Sequence, residues 1–266
     1  MAHQLLLTVA CFLLALTTFG QDAQPEYTST QKDWGFSITP YALLASQSTD
    51  VGGQKLRQSF NDLSSLTNSG FQVIASVRYK RLSFAFDGTF AELGDRAVSG
   101  PLRVDFTVNQ NIFGFKAGYS VYENFEFGED EILKGWALGV NLGAKYWANK
   151  VGVNYSITIN DIVIDEGSFS ENQEWWDPMI GVNGRFILSN RFALIVDSNI
   201  GGFGLGNASK FTYDLTYINA FKLSKLVVVN VGFRSFRYRR VDGSGEGELT
   251  TNVSVLGPML GVSLVF

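Results

Sequence analysis

Apolar and polar residues alternate along most of the chain beyond residue 33, and a period of two sends one set to each face of a β-strand. The pattern is clearest at the end, where Leu256, Pro258, Leu260, Val262, Leu264 and Phe266 are apolar and the residues between them, from Val255 to Val265, are mostly small. Similar runs predict ten strands: Trp34–Ser46, Phe71–Lys80, Leu82–Leu93, Arg103–Tyr122, Gly135–Asn160, Glu174–Leu188, Arg191–Phe203, Lys210–Phe221, Leu226–Val241 and Leu249–Phe266. Short turns are expected at Lys80-Arg81, Ser189-Asn190 and Leu223-Ser224-Lys225, and loops at 47–69, 94–102, 161–173, 204–209 and 242–248. Short turns on one side and longer loops on the other predict an all-β fold, a transmembrane antiparallel up-and-down β-barrel. A further turn at Ala148-Asn149-Lys150 would make the count odd, and single-chain bacterial barrels have even numbers, so ten is expected, with eight and twelve as the alternatives. In the first loop Leu56, Phe60 and Leu63 recur at intervals of four and three, which predicts a short helix over Gln54–Leu66 that could close the barrel mouth as a lid.

Aromatic spacing supports the membrane reading. Trp136 and Tyr146, Trp176 and Phe186, and Phe211 and Phe221 are each ten residues apart on the outward face of a strand. A tilted strand needs about 9–11 residues to cross the hydrocarbon layer, and aromatics gather at its two boundaries. Trp34, Tyr79, Tyr119 and Phe266 complete the expected girdles. Beyond the upper girdle the polarity inverts: Asp105, Thr107, Asn154, Ser156, Asn252 and Ser254 take the outer positions, while Val104, Phe106, Val153, Ile157, Phe236, Tyr238 and Val253 point inward. A barrel that rises out of lipid into water, around a small apolar collar, has this pattern.

Composition narrows the chemistry. Beyond the N-terminus there is no run of about 18 apolar residues, which excludes a helical membrane protein. With 21 basic and 25 acidic residues and a net charge of −4, nothing points to nucleic acid. Leu5 to Leu16 followed by Thr17-Thr18-Phe19-Gly20 has the outline of a secretory signal. The expected organisation is therefore a signal peptide at 1–20, a periplasmic lead-in at 21–33 and the barrel at 34–266. The only histidine, His3, and the only cysteine, Cys11, fall in that leader. A mature chain without either has no imidazole base or ligand and no thiolate, so no catalytic, metal or cofactor site is expected and the protein is not expected to be an enzyme.

The inward positions carry Arg78, Asp87, Lys116, Lys145, Asp177, Arg185, Asp197, Asp214 and Arg234. Five cations and four anions in a narrow lumen must pair, since an isolated buried ion costs several kcal/mol. A structural ion-pair network is the first reading of these residues; a polar ligand site or narrow pore lining is the second. Lys145 is expected to pair with Asp177, and Asp214 with Arg234. An Asp177/Asp197 acid–base pair is disfavoured, because neighbouring cations hold both carboxylates ionised. The three Asn-x-Ser sequons and the glycine-rich stretch Gly201–Gly206 lack the context that would make them functional.

Trp175-Trp176-Asp177-Pro178 with Gly181 and Arg185, then Gly201-Gly202-Phe203-Gly204, Gly232-Phe233-Arg234 and Gly257-Pro258 with Gly261 and Phe266, resemble a family of small, largely uncharacterised outer-membrane β-barrel proteins of Gram-negative bacteria. Weaker matches lie at Pro40-Tyr41, Ser59–Leu63 and Gly143–Trp147, and Lys145 and Phe233 stand where the family usually has Arg and Tyr. The resemblance implies the fold and the outer membrane, and brings no established activity. The expected partners are outer-membrane lipid and, through the last strand with its terminal aromatic, the barrel assembly machinery. The expected role is non-catalytic, whether structural, adhesive or surface-interacting, with a narrow pore for small solutes as the alternative.

Overall fold

The computed structural model describes residues 33–127, 132–159, 162–243 and 248–266; the expected leader, and the lead-in as far as residue 32, lie outside the described residues. The elements are β1 Trp34–Leu43, β2 Ser46–Val51, β3 Gln54–Gln58, α1 Phe60–Leu66, β4 Thr67–Tyr79, β5 Leu82–Ser99, β6 Leu102–Phe127, β7 Ile132–Ile159, β8 Ile162–Ser189, β9 Phe192–Gly201, β10 Phe211–Lys222, β11 Val227–Asp242 and β12 Leu249–Val265. Ten of these strands, β1 and β4 to β12, pair in chain order, and β1 pairs with β12 to close the ring. β2 prolongs β1 along β12, and β3 folds back on β2. Closure gives the backbone polar groups strand partners, which a hydrocarbon surrounding demands.

The alternation decides which way each side chain points. On β12 Leu256, Leu260, Val262, Leu264 and Phe266 are exposed on the outside, while Val255, Met259 and Ser263 are buried inside. The outward aromatics fall into two rows. Phe90, Phe113, Tyr146 and Trp176 form a ladder on β5 to β8, with successive ring centroids 5.2, 6.0 and 4.9 Å apart. Phe71 opposes Phe90 on β4, and Phe211 extends the upper row on β10. The lower row includes Trp34 with Tyr79 (4.6 Å), Tyr122 with Trp136 (4.5 Å) and Phe192 with Phe221 (5.0 Å). Tyr119 and Phe266 are exposed in the same row, and Phe186 opposes Trp136.

Three expectations at the loop end need correction. The segment 94–102 is not a loop: β5 and β6 run through it and join at Gly100-Pro101, where Gly100 (φ 58°) supplies the left-handed conformation that a two-residue hairpin needs. Likewise 162–173 is strand, because β8 starts at Ile162 and pairs with β7 from there. The helix does not span Gln54–Leu66 but only Phe60–Leu66. Gly52 (φ 57°) and Gly53 (φ 87°) turn the chain back, so that Gln54–Gln58 pairs with Val51–Gln47 as β3. A Gly-Gly pair between short runs is a hairpin signal, and the ladder bonds it makes available outweigh the helical spacing. α1 starts where Ser59 caps it: the Ser59 hydroxyl accepts from the Asp62 amide, and the Asp62 carboxylate accepts from the Ser59 amide.

The wall is uneven. β5 to β8 have 18, 26, 28 and 28 residues, but β9 and β10 only 10 and 12. Above the upper aromatic row β5 to β8 therefore continue as a four-stranded sheet, and β9 and β10 stop near it.

Candidate functional site

The lumen is filled in layers by inward side chains. Its centre is Arg234 on β11. The guanidinium donates to both oxygens of Asp214 (Nε to Oδ1 3.1 Å, Nη2 to Oδ2 2.7 Å) and to the Tyr41 hydroxyl (2.6 Å), and it also pairs with Asp87. Tyr41 in turn donates to Asp87 (2.9 Å), and Lys145 donates to Asp214 (2.6 Å). Five strands, β1, β5, β7, β10 and β11, contribute to this cluster. Its two cations and two anions balance, as burial requires: the Lys145 and Arg234 side chains are 5% and 6% accessible.

The expected Asp214–Arg234 contact is present, whereas the Lys145–Asp177 pair is not. The two residues do oppose each other on β7 and β8. Asp177, however, is fully buried and receives the Ser209 amide (2.7 Å), the Thr212 hydroxyl (2.5 Å) and the Trp147 indole N–H (2.9 Å). With its oxygens committed to those donors, Lys145 reaches across the lumen to Asp214 instead. Asp177 thereby fastens the β9–β10 loop to β8.

The other inward charges do not join the cluster. Lys116 pairs with Asp197 (2.6 Å), and Asn199 donates to the same carboxylate. Arg185 lies over the Phe125 ring (5.2 Å) and Arg78 donates to the Lys80 carbonyl (3.2 Å), both toward the short-turn end. Asp177 and Asp197 thus have separate partners, and nothing aligns them as an acid–base pair. Among the described residues no group of three or more His, Cys, Asp and Glu side chains could hold a metal ion.

Above the cluster sits an apolar plug of Ile112, Trp147, Trp175, Phe236, Tyr238, Val253 and Val255. Trp147 and Trp175 stack with centroids 5.8 Å apart, and Tyr238 packs against both at 4.8 and 5.2 Å. Lys145 Nζ lies 4.8 Å from the Trp147 ring and 4.7 Å from Phe236, and Arg240 lies 4.5 Å from Trp175, so cations contact the plug from both sides. Of the expected collar, Phe236, Tyr238 and Val253 belong to the plug. Val104, Val153 and Ile157 are only half-buried, and Phe106 is 41% exposed, on the part of the sheet that rises beyond the ends of β9 and β10. Of the expected lid, Phe60 and Leu63 line a cavity beside Leu43, Ala45 and Val255. Leu56 is on β3 and 58% exposed, carried outside by the hairpin.

Tyr41, Trp147, Trp175, Ser209, Thr212 and Arg240 are not among the lumen charges or collar residues expected from the sequence. Parity points to five of them, since Tyr41, Trp147, Trp175, Thr212 and Arg240 each lie two residues from another inward position: Thr39, Lys145, Asp177, Asp214 and Tyr238. Ser209, in a loop, carries no such signal.

A closed ten-strand antiparallel ring, an apolar outer belt between two aromatic rows, and a charged, filled interior define an outer-membrane β-barrel protein. In barrels of this class the end with short turns is the periplasmic one, and the tall ends of β5 to β8 lie at the opposite end. No family model matches this chain, and no curated protein matches it. Among solved structures it is similar to the outer membrane protease OmpT from Escherichia coli, with a TM-score of 0.51 at 13% identity over 91% of this chain and 99% of that chain. It is also similar to Ail, the attachment invasion locus protein of Yersinia pestis (TM-score 0.32, 12% identity, 89% and 100% of the two chains), and to Neisserial surface protein A (0.30, 11%, 88% and 97%). At such identities the likeness to OmpT speaks for the fold alone.

Proposed function

We propose that this protein is a non-catalytic, non-conducting barrel that acts at the cell surface through its extracellular sheet. The observation that carries the reading is the contrast between a blocked lumen and a developed exterior. Trp147 and Trp175 are 0% and 3% accessible above a balanced ion cluster. The sheet above them, in contrast, exposes Phe106, Tyr155 and Phe169 on its inner face and holds Asp105 between Arg96 and Arg103 (2.6 and 3.0 Å) on its outer face. Exposed apolar side chains rimmed by charge are what a protein contact surface requires.

Conductance and attachment test the two halves. The intact protein in a planar bilayer is expected to show no steady current. Lys150 and Asn172 oppose each other, so an Asn-Gly turn replacing 151–171 closes the β7–β8 hairpin without disturbing the barrel. Cells displaying the parent are expected to attach to a panel of extracellular-matrix proteins and glycans, and cells displaying the shortened form to lose that attachment while the protein still migrates as folded on an unboiled gel. Large, stable openings of the intact protein would replace this reading by that of a narrow pore.

A further inference from the structure

The barrel wall is interrupted where β1 leaves β4. Their ladder ends at Tyr41 opposite Gln72, and the next inward amide, Leu43 N–H, donates to the Gln72 side-chain oxygen (2.8 Å). β1 remains paired with β12, and β4 continues to Thr67 along β5, so the two strands separate. α1 roofs the opening. Beneath it lies a cavity of about 430 Å³, within the range of small-molecule sites, that runs from Gly70 and Phe90 on the lipid side to Ile112, Phe236 and Val255 in the plug.

Three properties select the occupant. The opening is level with Phe90, in the upper aromatic row, where headgroups meet hydrocarbon. Its deep wall is apolar, and its polar lining, including Gln72, Thr89 and Gln110, is uncharged. With no Lys or Arg in the lining, a buried carboxylate or phosphate would have no counter-charge. An exterior groove bearing Ser69, Glu92, Asn109 and Asn111 shares Gly70 and Phe90 with the cavity and offers hydroxyl, amide and carboxylate groups at headgroup height, which suits a headgroup that carries an ammonium.

We propose that this cavity takes one hydrocarbon chain of an outer-leaflet lipid, which enters sideways between β1 and β4 beneath α1 and leaves its headgroup in the exterior groove. The test uses the full-length protein in phosphatidylcholine vesicles with lysophosphatidylcholine spin-labelled near the chain end. The expected electron-spin-resonance result is a motionally restricted fraction that saturates at one chain per protein and is displaced by unlabelled lysophosphatidylcholine but not by the excess phosphatidylcholine, unlike boundary lipid, which fills many equivalent sites around the barrel and exchanges with phosphatidylcholine. Ala91→Phe fills the cavity from β5 and Leu63→Trp fills it from the helix; each should weaken retention roughly tenfold. A parent protein without a one-chain restricted fraction that persists in excess phosphatidylcholine would overturn the proposal whether or not the variants fold. So would an unchanged fraction in both variants when each runs as folded, or preferential retention of spin-labelled stearate in its carboxylate form.

Discussion

Within the lipid belt and above it, the same four strands obey opposite rules. Between the aromatic rows β5 to β8 turn Phe84, Phe115, Leu142, Ile180 and Val182 outward, and Asp87, Lys116, Lys145 and Asp177 inward. Above the upper row Asp105, Asn154 and Ser168 face out and Phe106, Tyr155 and Phe169 face in. Solvent explains the inversion: in lipid the outside must be apolar, and in water it must not be. What differs more is closure. The belt region is a ring with every strand flanked. The upper sheet is flanked by β5 beyond Leu93, where the β4 ladder ends, and by β8 before Met179, where the β9 ladder begins. Two free edges in water invite pairing with other chains. Here they carry Asp95 and Arg96 on one side and Asp165, Glu166, Glu171 and Glu174 on the other, charges that oppose such pairing. The lower region gains stability from enclosure; the upper one keeps apolar side chains accessible.

The largest effect that would break this comparison lies in the ion cluster. Asp214→Ala leaves Lys145 and Arg234 buried with one fewer anion and should destabilise the barrel by about 3–5 kcal/mol in urea unfolding from detergent. In a double-mutant cycle Lys145 should couple strongly to Asp214 and only weakly to Asp177, although Asp177 is its cross-strand neighbour. An equally strong Lys145–Asp177 coupling would contradict the assignment of Asp177 to Ser209, Thr212 and Trp147.

Phe169→Ser in the upper sheet, where the side chain is 60% exposed, should change unfolding by no more than about 0.5 kcal/mol. A loss comparable with that of Asp214→Ala would show that the sheet is packed against something in the folded protein.

The smallest effect is electrostatic. The Asp105 carboxylate lies below its ordinary range, chiefly because Arg96 donates to it; desolvation opposes the shift, and Arg103 adds to it. A depressed carboxyl stabilises the folded form above the unfolded value, about 3.9, and that contribution is lost as pH falls through the folded value. Carbon-13 NMR of the carboxyl should give a midpoint under that of free aspartate, and Arg96→Ala should raise it. An unmoved midpoint would mean that the Arg96 contact is solvated away.

Parity in the sequence was enough to assign faces at Leu256 to Phe266, at Trp136 and Trp176, and at Lys145 and Arg234, because a strand's side-chain period is fixed by its backbone and lipid allows only one orientation of it. The same parity placed Lys145 beside Asp177 but could not say which acceptor it would choose. That depends on how a chain remote in sequence folds over the lumen: Ser209 and Thr212 reach Asp177 first, and Asp214 is presented from the far wall. Leu56 teaches the same at the rim, where helical spacing lost to a Gly52-Gly53 turn that offered the backbone a partner in β2. The gap between β1 and β4 was likewise invisible, since each strand alternates normally on its own. Local pattern determined the ring and its faces, because those follow from strand geometry and solvent one segment at a time. Pairings across the lumen and breaks in the wall were decided only in the closed structure, where acceptors compete for donors from strands far apart in the chain.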